Sequence, residues 1–285
     1  MVHGEQWSAV FEDVPGATAP LLPEILERGT YVGEGEVELE GGDGVVRMET
    51  GFALAYPETP LRYLALCATN SAGPEPTREF VTAFPWCAEG VEADLEIEEV
   101  LADRDDPMEG GLEVAAPGGG LMWLVDPFFF QHRHLYAPER TVRLSIAALA
   151  YSVSLAARDF VEVTEGPMLD LERSRISEAD PDADPAEVTS VRLSLEGARA
   201  LFPHPEEPLF GSTFRAPVED LDEFSVGGVR FTRMLIAPLT TDAGAVGMWL
   251  YASERVLQGC APRVGDEIEG FAWLQATLVS STSGE

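Results

Sequence analysis

VEADLEIE, residues 91–98, decides the fold class. In an extended chain Val91, Ala93, Leu95 and Ile97 fall on one side and Glu92, Asp94, Glu96 and Glu98 on the other, because side chains alternate across a strand. That pattern reads as a half-buried antiparallel strand with an acidic solvent face. Upstream, EVELE (36–40) alternates in the same way. GGDG (41–44) follows, with glycines where a tight turn needs positive φ, and VVRMET (45–50) resumes the extended pattern, so a hairpin is expected. Downstream, TVRLSIAALAYSVSLAA (141–157) is rich in small residues. Its β-branched residues, with Ser145, Ser152 and Ser154, favour one long, bent strand over a helix.

Helical signals are short. PLLPEILERG (20–29) has Pro23 near its start and Gly29 as a stop. Residues 74–84, after Pro74 and Pro76, read as another turn or two of helix, and SLEGARALF (194–202) as a third, capped by Ser194 and ended by Pro203. No regular strand–helix alternation is present, so the expected class is mainly β with short helices.

The two halves of the chain echo each other. Gly110-Gly111, Met122-Trp123-Leu124, Ala137-Pro138 and a long strand run in that order in the first half. Gly227-Gly228, Met248-Trp249-Leu250, Ala261-Pro262 and EIEGFAWLQATLV (267–279) repeat the order in the second. An ordered set of this kind predicts a duplication. The expected architecture is two tandem, small, antiparallel β-barrel-like modules. Residues 1–165 and 189–285 would form them, joined by an acidic, proline-containing linker at 166–188. The turn Val264-Gly265-Asp266, leading into EIEGFAWLQ, resembles the Gly-Asp turn that opens a strand in small barrels of the OB and related kinds. The resemblance bears on the fold alone.

Charge is the dominant compositional signal. Fifty acidic residues face 18 basic ones, every one an arginine, for a net charge of −32. Lysine is absent and Asn70 is the single asparagine, which fits the codon bias of a GC-rich genome. Without lysine there is no Walker A loop, no Schiff-base chemistry and no protein-kinase β3 lysine. A field this negative repels nucleic-acid backbones and speeds encounter with a basic protein. No apolar run approaches the ~20 residues of a membrane span, and the first residues carry neither a basic nor an apolar leader, so cytoplasm is the default expectation. Cys67, Cys87 and Cys260 read as small buried side chains.

Three groups of residues are candidates for chemistry. His132-x-His134 with Glu139 would form a metal site if the pair lay on a strand, since residues two apart then share a face. The spacing matches the core of the first cupin motif, but Asp126 and Ile146 stand where that motif has glycines, and no second motif follows. Arg133, Arg140, Arg143 and Arg158 make a basic island. Left unpaired they would bind a carboxylate or phosphate; paired, they would neutralise the acidic strand at 91–99. Trp123 and Trp249, at equivalent places in the echo, read as core residues, as does Trp273. Asp180, Asp182 and Asp184 have the spacing that opens a calcium loop, but Pro185 replaces its glycine and Val191 its bidentate glutamate.

The leading expectation is therefore a non-enzymatic, acidic interaction protein, immunity- or inhibitor-like, for a basic partner, with no cofactor required. The alternatives are a metal- or anion-dependent enzyme or ligand binder built on His132, His134 and Glu139, and a structural subunit of a larger assembly.

Overall fold

The computed structural model describes residues 4–40, 46–71, 75–102, 107–157, 160–179, 184, 188–204 and 210–279. Helices α1 (Gly4–Ser8) and α2 (Val14–Arg28) precede the strands β1 (Thr30–Glu40), β2 (Val46–Tyr56), β3 (Leu61–Asn70) and β4 (Thr77–Cys87). Next come β5 (Val91–Ala102), β6 (Gly110–Ala115), β7 (Leu121–Val125), α3 (Phe129–His132), a 3-10 turn at Arg133–Leu135, and β8 (Thr141–Leu155). β9 (Phe160–Val163), α4 (Pro167–Ala179) and β10 (Val191–Ser194) follow. The chain ends with β11 (Ala200–Pro203), β12 (Gly211–Val226), β13 (Val229–Thr241), β14 (Gly244–Ser253), α5 (Glu254–Leu257) and β15 (Glu267–Leu278). Among the described residues strands account for 58% and helices for 17%, so the protein is mainly β, as the alternation requires. Among the described residues no helix is long and apolar enough to cross a membrane.

The contacts define two compact units, residues 1–155 with 199–285, and residues 156–198. In the smaller unit β9 and β10 pair antiparallel, and the Arg192 guanidinium lies over the Phe160 ring at 3.2 Å. Helix α4 occupies 167–179, where the acidic composition suggested a linker. Arg175 pairs with Glu172 three residues earlier at 2.7 Å, and Leu169 is buried, which gives this segment the local support that composition conceals.

In the larger unit β1 to β4 form an antiparallel sheet in chain order. A second sheet has the order β11-β12-β13-β14-β8-β15-β7-β6-β5, with additional pairings of β12 to β15 and β8 to β5. It does not divide into two barrels, each made from its own half of the chain. β8 and β15, from either side of the acidic segment, pair antiparallel from Leu144↔Leu278 to Leu155↔Ile268. The expected bend in the long strand is an irregularity where Tyr151 has no opposite number, between Ala150↔Ala272 and Ser152↔Phe271. Gly270 lies beside it, and a Cβ there would overlap the Ser152 carbonyl, so only glycine fits. The centre of β8 pairs with β15 on one edge and β14 on the other, and Ile146 to Ala150 are buried on both faces and mostly small.

The two sheets share a core. Phe84 on β4 meets Trp273 on β15 edge-on at 5.8 Å. The buried Gln275 donates from its amide to the Pro85 carbonyl at 2.9 Å and accepts from Cys87 N–H at 3.0 Å. Both polar ends of an otherwise costly buried side chain are thereby satisfied.

Three local readings change. Residues 77–87, which overlap the 74–84 stretch read as helical, form β4, because Phe80, Val81, Thr82 and Phe84 prefer a pleated surface. The 194–202 segment makes a single turn, with Gly197 at φ +71°, and then becomes β11. Helix α2 starts at Val14, where Asp13 accepts from Gly16 N–H at 3.1 Å, well before Pro20. β1 and β2 pair up to Glu40↔Val46, but the GGDG turn lies outside the described residues.

Candidate functional site

Asp126, at the end of β7, organises the segment that carries both candidate histidines. Its carboxylate is 2% exposed and accepts three hydrogen bonds. Oδ1 takes the Phe128 N–H at 2.9 Å, and Oδ2 takes the Tyr136 hydroxyl at 2.6 Å and faces His132 Nδ1 at 2.8 Å. The carbonyl of Asp126 also accepts from Phe129 N–H at 3.0 Å. A four-residue helix is too short to stand alone, so the Asp126 hydrogen bonds and the burial of Phe129 and Phe130 together hold α3 in place. The His132 contact orients the ring through Nδ1 and leaves Nε2 outside it. Burial, and then the charge and hydrogen bond of Asp126, push the Tyr136 phenol far above its ordinary range.

His132 and His134 lie on helical turns, not on a strand, so residues two apart point in different directions. His132 is buried against Asp126, while His134 and Glu139 are exposed. Among the described residues no group of three or more His, Cys, Asp or Glu side chains is placed to hold a metal ion. Asp126, noted in the sequence only as a missing glycine, is the residue that gathers this segment.

The arginines of the basic island have separate partners. Arg133 donates to the Glu36 carbonyl at 3.3 Å and Arg140 to the Leu135 carbonyl at 2.6 Å. Arg143 donates to Glu92 at 2.8 Å and lies 3.9 Å from Asp94, across the β8–β5 pair. The neutralising reading thus holds at Arg143, whereas Arg158 lies outside the described residues. Trp273 is a core residue and Trp123 donates to Glu113 at 2.9 Å. Trp249 lies under the Arg233 guanidinium at 4.4 Å, and that group is bound by Asp222 at 2.6 Å and by Glu89.

The acids form rows on two strands. On β5, Glu92, Asp94, Glu96 and Glu98 are exposed, opposite Ser145, Arg143 and Thr141 of β8. On β1, Glu34, Glu36 and Glu38 are exposed, opposite Phe52, Thr50 and Met48 of β2. Neither the Glu36 nor the Glu38 carboxylate is in an ion pair among the described residues. The Tyr31 hydroxyl donates to Glu34, and slight burial together with that acceptor pushes the Tyr31 phenol up to about 12. The other face of β1 packs on α3, where a Cβ at Gly35 would crowd the Phe130 carbonyl at 2.9 Å and Gln131 Cα at 3.0 Å. The helix that Asp126 anchors is therefore the platform under the β1 row.

No family model, curated protein or solved structure matches the chain.

Proposed function

We propose that this chain is a non-enzymatic interaction protein that docks on a basic protein partner, in the manner of an immunity or inhibitor protein. One observation carries the reading. Arg28, Arg143, Arg175, Arg199, Arg215 and Arg233 are each bound to acids of the same chain, while the acids of β1 and part of the β5 row stay exposed. The available charge is therefore negative, and a partner with complementary potential gains in encounter rate and specificity. The same field disfavours nucleic-acid backbones. Cytoplasm is the compartment assumed, and three free cysteines suit a reducing one. Titrating the protein with oligolysine at rising salt is the test: a complex that weakens steeply with salt is expected. No complex even at low ionic strength would end the proposal.

A second reading rests on His132, whose Nδ1 is fixed by Asp126 as in sites where Nε2 binds a ligand or takes a proton. It would make the chain a small-ligand binder or enzyme. A proton-resonance shift of His132 on adding a divalent metal or small anions supports it, and an unmoved resonance removes it.

The module reading belongs with the first proposal: two interlocked barrel-like modules from a duplication, with 1–165 and 189–285 as their sources. Its support is register. The parallel pair Val125↔Gln275 and the parallel pair Tyr251↔Leu149 exchange under the same offset that turns Met122-Trp123-Leu124 into Met248-Trp249-Leu250. Each half would complete the other through β8 and β15. Residues 1–165 and 189–285 should then fold when produced together and not singly.

A further inference from the structure

The outer face of the β1–β4 sheet is covered at one end only. There Trp7 of α1 and Phe11 pack against Tyr63, at 5.4 Å and 6.0 Å, and Ile25 of α2 is fully buried. Beyond that cover Phe52 and Cys67 are still buried, while Tyr31, Met48 and Phe80 around them are exposed. Register places Glu34, Phe52, Cys67 and Phe80 in one transverse row and Glu36, Thr50 and Thr69 in the next, with Glu38 beside Met48 after that. Tyr31 stacks on Phe52 at 6.0 Å and the Arg78 guanidinium lies 5.5 Å from the same ring.

The exposure on this face is unusual. Met48 is 55%, Tyr31 52% and Phe80 39% exposed, and Val46 continues the apolar line along β2. Exposed apolar side chains gathered on one flat sheet face, bordered by a charged rim, are the composition of a binding surface rather than of a solvated one. Burial under these neighbours pushes the Cys67 thiol up to about 11, so the centre of the face is already dry.

We infer that this half-covered sheet face, with the exposed Tyr31, Phe80 and Met48 set around the buried Phe52 and Cys67 and with Glu34, Glu36 and Glu38 along the β1 edge, docks a protein segment that carries lysine or arginine beside an aliphatic or aromatic anchor. The inference rests on the function proposed above and gives it a location. Charge complementarity selects the occupant. Residues two apart on a strand are roughly 7 Å apart, so the three carboxylates form a ladder that matches cations on an extended or helical segment. A second copy would set like ladders in the same interface in a protein of net charge −32, which repels it.

The probe is a synthetic peptide of alternating lysine and leucine, titrated into the full chain by calorimetry at two salt concentrations, with circular dichroism confirming that each variant is folded. Glu36→Gln with Glu38→Gln, and separately Met48→Ser, should each weaken binding at least tenfold. Glu96→Gln with Glu98→Gln on β5 should change it less than threefold. If the β5 variant loses affinity as much as the β1 variant, or alone, the location is wrong while the acidic-partner function survives. If the unmodified protein does not bind the peptide at either salt concentration, that function fails with it. Light scattering that shows a dimer broken by Met48→Ser would assign the face to a second copy and overturn the inference.

Discussion

The rows of acids on β1 and β5 look alike in sequence and differ in their surroundings. On β5 the acids face Ser145, Arg143 and Thr141, and Arg143 holds two of them. On β1 the acids face Met48, Thr50 and Phe52, and among the described residues none of the three carboxylates is in an ion pair. One row is partly used to hold the sheet together; the other borders an apolar face. An alternating strand therefore reports that one side is wet but not whether its charge is engaged, which depends on the strand across.

The largest way to break this contrast is to remove the platform beneath β1. Asp126→Ala would strand the Phe128 N–H, the Tyr136 hydroxyl and His132 Nδ1 in a buried place. Each stranded group costs about 1–3 kcal/mol, so chemical denaturation should show a loss of at least ~3 kcal/mol. Amide exchange should quicken in β1 and much less in β5. Gly35→Val attacks the same contact from the strand side, where the new side chain meets α3 backbone. Overpacking of this kind costs about 1–3 kcal/mol, and an unchanged melting temperature would deny that α3 supports the row.

Arg143→Gln would make β5 resemble β1 by releasing Glu92 and Asp94. The pair is exposed, so stability should scarcely change. Affinity for the lysine–leucine peptide should rise by less than threefold, because the apolar centre is still missing there. A gain equal to the full β1 affinity would show that charge alone suffices. The smallest effect concerns Tyr31, whose phenol titrates at about 12 because of burial and then Glu34. Its raised folded value means that its contribution to stability is complete below its ordinary pKa of 10 and disappears as the pH rises through about 12. Glu34→Gln should bring the ultraviolet titration of Tyr31 part of the way back towards 10.

Much of this fold was legible, because period-two patterns on residues 36–40 and 91–98 leave few alternatives to half-buried strands. The exposed apolar line Val46–Met48 was not legible as such. Its alternation is the same whether the apolar side faces a core or a partner, and only the extent of cover by α1 and α2 separates the two. Asp126 was invisible for another reason: its partners lie six and ten residues away across a turn, with no fixed spacing to recognise. The strand β4 was lost behind Pro74 and Pro76, whose turn signal outweighed the aromatics after them. The pairing of β8 with β15 depends on contacts between halves of the chain that no local pattern encodes.

Methionine oxidation tests the central claim most directly, because Met48 is exposed on the proposed face beside Glu38 and the similarly exposed Met168 in the smaller unit serves as an internal control. Hydrogen peroxide should oxidise both in the free protein. With saturating lysine–leucine peptide, oxidation of Met48 should slow at least fivefold while that of Met168 is unchanged. Equal slowing at both positions, or no slowing at Met48, would contradict a docking surface on the outer face of the β1–β4 sheet.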